Sequence, residues 1–103
     1  MNEKLKQELI KIIAEIESFI IENGGLFSDW YAGITDDIKE RVYLYHNVKE
    51  TCVFVKTPSV EFARIIEKYF IEERKTDGGT GGGNEGSFYV YVYKKQSYTK
   101  ERD

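Results

Sequence analysis

The sequence predicts an α+β domain in which a small three-stranded mixed sheet carries three helices packed on its two faces. Segments with helical periodicity alternate with β-branched and aromatic segments, in the order helix, strand, helix, strand, helix, strand. Residues 88–93 are apolar or aromatic at every position, which is typical of a covered central strand. The chain has 103 residues, 41% of them hydrophobic, and this is enough apolar material for one core. We therefore treat residues 1–103 as a single domain.

The first element is an N-terminal helix within residues 1–23. Its apolar residues recur at the three-and-four spacing of one helical face, and lysines and glutamates occupy the other positions. The segment Asn23, Gly24 and Gly25 supplies residues that end a helix. The apolar face consists of Leu5, Leu9, Ile12, Ile13, Ile16, Phe19 and Ile20.

Residues 28–72 predict a strand-helix-strand-helix unit. A short strand at residues 30–34 leads into Thr35, a good N-cap for a helix that runs to about Tyr45. Residues 51–57 are β-branched and aromatic and end at a proline, which predicts a second strand. Ser59 then caps a third helix, which continues to about residue 73.

The C-terminal part consists of a glycine-rich loop, a strand and a polar tail. Residues 77–86 contain six of the nine glycines and predict irregular structure, whereas residues 87–95 predict the last strand. A strand-helix-strand unit leaves a gap into which a later strand can insert antiparallel. We expect the last strand to fill that gap as the central strand, and residues 96–103 to form a frayed tail.

Composition limits the classes of function. No apolar run approaches the roughly 20 residues that cross a bilayer, and no signal peptide is evident, so we expect no membrane association. Cys52 is the only cysteine, which excludes an internal disulfide and favours the reducing cytoplasm. The net charge of −3 argues against a protein that coats nucleic acid through a broad basic face. It leaves room for a small, locally basic site.

Two ionisable residues occupy positions that helical spacing assigns to apolar faces. Arg41 follows Ile38 by three residues, and Glu67 precedes Phe70 by three. An unpaired buried charge costs several kcal/mol, so each group should face a partner, a cleft or a ligand. The structural alternatives are an Arg41–Glu67 ion pair and a local pair between Glu67 and Arg64.

The sequence around Arg41 resembles the second half of the GIY-YIG nuclease signature. Tyr31-Ala-Gly33-Ile-Thr35 is followed by Arg41 ten residues after the tyrosine, and Glu67 lies in the expected later helix. His46 and Asn47 add to the match, which covers about residues 28–72. Ala32 replaces the isoleucine of the motif, and His46 follows Arg41 by five residues where four is commoner.

The resemblance implies metal-dependent hydrolysis of phosphodiester bonds in DNA. Glu67 would hold one Mg²⁺ or Mn²⁺ ion, and Arg41 would bind the scissile phosphate. Tyr31, together with a tyrosine of the last strand, would orient or deprotonate the attacking water. Gly33 and Thr35 would lie at the substrate. DNA is the expected partner, and a partner protein or the structure of the DNA would supply specificity.

The first strand of that signature, Gly-Ile-Tyr, does not precede Tyr31 in this chain. The C-terminal strand is the available substitute, because Tyr89, Tyr91 and Tyr93 point to one face by the period of two. We therefore expect a circularly permuted arrangement in which Tyr91 is the second active-site tyrosine.

Two further residues have competing interpretations. His46 at a helix end is either a capping or surface histidine or a catalytic base. Residues 78–83 are either a connector or a phosphate-binding loop, although the lysine and following helix of a P-loop are absent. Asn84 would reach the site, since the resembled family often places an asparagine after the glutamate helix.

Three functions compete. The first is a GIY-YIG-like endonuclease. The second is a non-catalytic descendant of that fold that binds nucleic acid or protein, with Arg41 and Glu67 paired. The third is a small interaction protein whose first helix exposes the face from Leu5 to Ile16.

Overall fold

The computed structural model describes residues 1–79 and 84–102 of the chain. Two α-helices, α1 (Glu3–Glu22) and α2 (Val60–Glu72), and a π-helix (Lys39–Tyr45) accompany the strands, with a short 3-10 turn at Phe27–Asp29. The strands are β1 (Trp30–Thr35), β2 (Cys52–Lys56), β3 (Asp77–Gly78) and β4 (Tyr89–Lys94). The fold class is α+β, as predicted.

The sheet has four strands in the order β2-β4-β1-β3. β4 pairs antiparallel with both β1 and β2, with Tyr91 opposite Gly33 on one side and Phe54 on the other. The prediction that the last strand is central is therefore confirmed. β1 and β2 run parallel to each other on either side of it, as the gap argument requires.

The prediction of three strands was wrong. β3 has two residues, and Asp77 and Gly78 pair in parallel with Tyr31 and Ala32 at the edge of the sheet. These two residues belong to the segment predicted to be wholly irregular, where two residues before a glycine run give no detectable periodicity. The loop residues 80–83 lie outside the described residues.

The two faces of the sheet are packed by different elements. α1 and α2 cover the face formed by the alternate residues of β1 and β4 that include Ala32 and Val92. The π-helix covers the opposite face through Val42, beside three tyrosines of the same two strands. Helices on both faces agree with the prediction.

The helix ends follow local rules. The Asn2 side chain accepts a hydrogen bond from the Leu5 N–H, and Ser59 Oγ accepts one from the Phe62 N–H, so both α-helices are capped by side chains. α1 ends before Gly24 and Gly25, whose φ values are 126° and 73°. Positive φ is readily available to glycine, which explains why the predicted end of α1 agrees with the structure.

The face of α1 from Leu5 to Ile16 belongs to the core. Ile12, Ile16 and Ile20 are buried, and Leu5 and Leu9 are half-buried against the same cluster. The third function, an interaction protein that exposes this face, is therefore contradicted, because the face is buried in the chain's own core. No helix in the described ranges has both the length and the apolar character needed to cross a membrane.

The C-terminal tail is not frayed along its described residues. The Lys100 N–H donates to the His46 carbonyl oxygen at 2.8 Å, and Asn47 Nδ2 donates to the Tyr98 carbonyl oxygen at 3.0 Å. Arg102 also forms an ion pair with Asp77 of β3. The polar composition of residues 96–103 misled the prediction because these contacts are mainly polar and show no periodicity. Residue 103 lies outside the described residues.

Candidate active site

One cleft lies between β1, the π-helix and α2 and contains most of the predicted site residues. Its volume is about 210 Å³. Of the eight residues that the sequence singled out, seven line it and only His46 does not. The lining residues are Tyr31, Gly33, Ile34, Thr35, Asp36, Arg41, Glu67, Gly79, Asn84, Ser87 and Tyr91.

Glu67 is a buried carboxyl group that faces this cleft. α2 holds it in place through its neighbours Ile66 and Phe70, which pack into the core, and only 6% of Glu67 is exposed. Burial raises the pKa of Glu67 to about 7, although nearby Arg64 acts in the opposite direction. Within the described residues, no hydrogen bond or ion pair engages the carboxyl group, so its lone pairs remain available to a ligand.

The Arg41–Glu67 ion pair expected as a structural alternative does not form, and neither does a pair between Glu67 and Arg64. The ion pairs found within residues 1–79 and 84–102 join Arg74 to Glu17 and join Lys95 and Arg102 to Asp77. Glu67 and Arg41 therefore contribute separately to the cleft.

Arg41 is exposed, so the prediction that it lies on an apolar stripe was wrong. That prediction assumed α-helical spacing, but the segment is a π-helix, in which five residues make one hydrogen-bonded turn. Val42 takes the buried position instead. The Arg41 guanidinium lies 4.1 Å from the centre of the Tyr45 ring and close to Tyr91. Burial alone would lower the pKa of Arg41, but Tyr91, Tyr31 and Tyr45 together outweigh burial, and the net shift of the pKa is upward.

The π-helix also explains the spacing between Arg41 and His46. The His46 N–H donates to the Arg41 carbonyl oxygen at 3.0 Å, an i to i−5 bond, so the two residues are one π-turn apart. Both side chains consequently approach Tyr91. The extra residue in the Arg-to-His spacing thus keeps the two side chains together.

His46 is buried, which excludes the interpretation as a surface histidine. Its Nε2 atom lies 2.8 Å from the Tyr91 hydroxyl, and its Nδ1 atom lies 2.6 Å from the Lys100 carbonyl oxygen. Burial lowers the pKa of His46, and nearby Arg41 acts in the same direction, whereas the Lys100 carbonyl and Glu101 oppose it. His46 therefore lies behind Tyr91 and does not line the cleft.

Three tyrosines surround His46 on this face of the sheet. The Tyr31 ring centre lies 4.8 Å from that of His46 and 5.3 Å from that of Tyr93. Burial raises the pKa of Tyr31 and Tyr91, although Arg41 lowers both. In the part of the chain that the structure describes, no hydrogen bond engages the Tyr31 hydroxyl. Tyr31 therefore presents a neutral, unengaged hydroxyl group at the cleft.

Gly33 makes room for the Tyr91 phenol. A Cβ atom at position 33 would overlap the Tyr91 hydroxyl and ring, because the two residues are directly paired across β1 and β4. Gly33 was predicted at the substrate, and it does line the cleft. Its structural role is to let an aromatic ring lie flat across β1.

The remaining predicted residues lie at the mouth of the cleft. Asn84 Nδ2 donates to Asp36 Oδ2 at 3.1 Å, and Asn84 Oδ1 accepts from the Gly86 N–H at 2.8 Å. Thr35 is the last residue of β1 and not an N-cap of the following helix, and its Oγ1 accepts from the Asp37 N–H at 3.0 Å. Most of the glycine run that was considered as a phosphate-binding loop lies outside the described residues.

Sequence reasoning missed the contribution of the tail. Tyr93 Oη donates to Glu101 Oε2 at 2.9 Å and lies 3.1 Å from His46 Nδ1. The period of two placed Tyr93 on the correct face, but no pattern in the tail indicated that residues 100 and 101 reach the same histidine.

Comparisons with known proteins add no relative. Neither the protein-family models, nor the curated proteins, nor the solved structures include one that matches this chain.

Proposed function

We propose that this protein is a metal-dependent endonuclease that hydrolyses phosphodiester bonds in DNA, with a GIY-YIG-like site assembled from a permuted order of strands. One observation carries the proposal. Arg41 and Glu67 open onto the same cleft as Tyr31 and Tyr91 without forming an ion pair. A cation for phosphate, a carboxyl group for a metal ion and two phenols for water are the groups that this reaction needs.

The size of the cleft favours a phosphodiester group as its occupant. Pockets that enclose drug-sized ligands measure roughly 300–1,000 Å³, and this cleft is smaller, at about 210 Å³. A phosphate with its attacking water would fit, with the bases left outside. Arg41 would bind the phosphate, since its planar guanidinium matches two phosphate oxygens and offsets their charge in the transition state.

The carboxyl group of Glu67 fits a divalent metal ion. A buried carboxyl group with a raised pKa and no described hydrogen-bond partner gains a counter-charge when a cation binds. Mg²⁺ needs few protein carboxylates, because water and substrate phosphate supply its other ligands. The described residues contain no group of three or more metal-ligating side chains, so Glu67 would bind the ion without a cluster of protein ligands. Bound Mg²⁺ or Mn²⁺ would supply Lewis-acid stabilisation of the phosphate.

The two tyrosines would have different tasks. Tyr31, with an unengaged hydroxyl in the cleft, would orient the attacking water. Tyr91 would accept the water's proton on its oxygen while its own proton passes to His46 Nε2, 2.8 Å away. The products of that step are an imidazolium at His46 and a neutral Tyr91, so the proton leaves the cleft without forming a stable phenolate.

The alternative function is a non-catalytic binding module. Acidic residues favour it, because Asp36, Asp37 and Glu40 line a second groove that shares Arg41 with the cleft. Negative charge beside Arg41 disfavours DNA and favours a partner with basic side chains. This alternative predicts binding of a protein without any cleavage.

Plasmid cleavage with Mg²⁺ or Mn²⁺ tests the proposal. Wild type should nick or linearise DNA, and Arg41→Ala and Glu67→Gln should each reduce the rate by about 10²–10³, the usual effect of removing one transition-state contact. Lys39→Ala on the π-helix and Glu72→Gln on α2 are matched controls, because both residues are exposed and outside the cleft.

The outcomes separate the two functions. Loss of activity in Glu67→Gln with retention in Glu72→Gln shows that the nuclease is this protein and not a contaminant. A pure wild type that cleaves neither plasmid, single-stranded DNA nor branched DNA with either metal ion refutes the nuclease.

A further inference from the structure

We propose that residues 96–102 form part of the site, because the Lys100 carbonyl and the Glu101 carboxylate fix the tautomer of His46 and thereby orient the Tyr91 hydroxyl. This inference assigns a positioning role to a segment that carries no residue of the cleft. It rests on the proposed function for its effect on cleavage, but the orientation itself can be measured without any activity.

The Nδ1 atom of His46 faces the carbonyl oxygen of Lys100. A backbone carbonyl oxygen can only accept a hydrogen bond, and the Lys100 carbonyl oxygen lies 2.6 Å from Nδ1. Nδ1 must therefore carry a proton and donate it to Lys100.

A second, independent contact gives the same result. The Tyr93 hydroxyl has one proton, and it donates that proton to Glu101 Oε2 at 2.9 Å. Its oxygen can then only accept from His46 Nδ1, which lies 3.1 Å away, as the longer branch of a bifurcated hydrogen bond whose shorter branch goes to the Lys100 carbonyl oxygen at 2.6 Å. Lys100 and Glu101 thus both require the Nδ1–H tautomer.

The Nε2 atom of His46 faces the Tyr91 hydroxyl. The His46 ring is buried and its pKa is lowered by that burial, so the ring is neutral near pH 7 and Nε2 carries a lone pair. The charged groups that act on it are Arg41 and Glu101, and the phenols around it belong to Tyr31, Tyr91 and Tyr93. The Tyr91 hydroxyl must therefore donate to Nε2 across 2.8 Å.

The orientation of Tyr91 follows. Once its proton points to His46, the lone pairs of the Tyr91 oxygen face away from the histidine, where Arg41 and the cleft lie. With the opposite tautomer, Nε2–H would donate to Tyr91 and the phenol proton would point toward the cleft. The tail therefore decides whether Tyr91 offers the cleft an acceptor or a donor.

The chain contains a single histidine, which makes the test direct. Nitrogen-detected NMR of the full-length wild type should show one imidazole in the Nδ1–H form, with a scalar coupling across the hydrogen bond to the Lys100 carbonyl carbon. An Nε2–H imidazole in the wild type would overturn the proposal.

Variants in the tail test whether these residues fix the tautomer of His46. The double change Lys100→Pro and Glu101→Ala removes the Lys100 N–H that anchors the tail to His46 and the acceptor of Tyr93. This double change should populate the Nε2–H tautomer of His46. It should also lower metal-dependent cleavage by about 10–100-fold, the usual effect of losing a residue that orients a ligand or catalytic group without touching the substrate. Glu101→Gln keeps an acceptor oxygen and should keep the wild-type tautomer. Ser97→Ala, an exposed change in the same tail, is the control.

Each remaining outcome is decisive. A double variant that loses the coupling to the carbonyl of residue 100 but retains the Nδ1–H form refutes the role of the tail, and so does one that loses this form but cleaves like the wild type. A double variant that keeps both the coupling and the Nδ1–H form refutes the role of Glu101 and leaves the carbonyl alone as the group that fixes the tautomer. If the wild type shows the coupling, the double variant loses the Nδ1–H form and neither protein cleaves DNA, the nuclease is refuted and the orientation by the tail is confirmed.

Discussion

The two faces of the sheet differ in chemistry although the same strands form both. On β4, Val90 and Val92 point to the face covered by α1 and α2, whereas Tyr91 and Tyr93 point to the face covered by the π-helix. The first of these, the aliphatic face, is named for Ala32, Val90 and Val92 of the strands and buries side chains by apolar packing. The tyrosine face buries a histidine and phenols that hydrogen-bond one another and the C-terminal tail.

Because of this difference, we expect one face to contribute mainly to stability and the other mainly to activity. Apolar burial contributes roughly 25 cal/mol per Å² without fixing any proton, whereas each buried hydrogen bond contributes only about 1 kcal/mol net but fixes the direction of its groups. We therefore expect substitutions on the aliphatic face to affect folding most, and substitutions on the tyrosine face to affect activity more than folding. The predictions below follow this comparison from the largest expected change in stability to the smallest.

Phe70→Ala should cause the largest loss. Phe70 is fully buried on α2 in the hydrophobic core that covers the aliphatic face, and a change from phenylalanine to alanine typically costs about 3–5 kcal/mol. Tyr93→Phe on the other face removes a hydroxyl but no ring, and should cost about 1 kcal/mol. Urea denaturation of both variants measures the difference. A smaller loss in Phe70→Ala than in Tyr93→Phe would contradict the comparison.

The next largest change in the free energy of unfolding should come from pH, through the titration of Glu67. Its pKa is raised from the ordinary 4.5 to about 7 in the folded protein, so between these values the folded state holds a proton that the unfolded chain has released. The free energy of unfolding should therefore fall by about 3 kcal/mol as the pH rises from 4.5 to 7. Mg²⁺ should reduce this loss, because it favours the ionised carboxylate.

Denaturation of the wild type and Glu67→Gln across pH 4.5–7.5 measures that contribution. The lowered pKa of His46 makes stability rise with pH, opposite to the effect of Glu67, because the unfolded chain binds more protons at this histidine than the folded protein does. The wild type and Glu67→Gln share this contribution, so it cancels when one curve of unfolding free energy against pH is subtracted from the other. Glu72→Gln, an exposed change on the same helix, should keep the wild-type slope. An unchanged slope in Glu67→Gln would show that Glu67 is not the group responsible.

Gly33→Ala should lower both stability and activity through Tyr91. The new Cβ would overlap the Tyr91 hydroxyl and ring, and overpacking of this kind costs about 1–3 kcal/mol. Combining it with Tyr91→Phe removes part of the overlap, so the two changes together should cost less than their sum. A double-mutant cycle measures this coupling. Additive losses would mean that Gly33 does not act through Tyr91.

The elements that the sequence predicted correctly are those with long periodic patterns. The end of α1 could be placed at Asn23 and Gly24, and β4 could be placed at the centre because residues 88–93 have no polar face. The strand β3 was not predicted because a strand of two residues shows no periodicity in the sequence. The contacts of the C-terminal tail were not predicted because polar contacts made by irregular backbone produce no recognisable pattern in the sequence.

The site was predicted as a set of residues but not as a geometry. The resemblance to the GIY-YIG signature grouped Tyr31, Arg41 and Glu67, whereas the spacing argument assumed an α-helix around Arg41. The π-turn changes which side chains face outward, and its cause lies in tertiary packing: Val42 packs under the sheet while His46 reaches Tyr91. Local sequence does not encode that requirement, so only the structure reveals why Arg41 is exposed.

Arg41→Ala should have the smallest effect on stability and one of the largest on cleavage. Arg41 is exposed, it forms no ion pair with Glu67, and its contact with the Tyr45 ring contributes about 0.5–1 kcal/mol at an exposed position. We therefore expect a loss of less than about 1 kcal/mol, while cleavage falls by about 10²–10³. Had Arg41 been one half of a buried pair, its removal would strand Glu67 and cost about 3–5 kcal/mol. Thermal denaturation of Arg41→Ala beside Lys39→Ala distinguishes the two cases. A melting temperature far below that of the control, together with a wild type that cleaves nothing, would favour the binding module, because the guanidinium would then be needed for folding and not for phosphate.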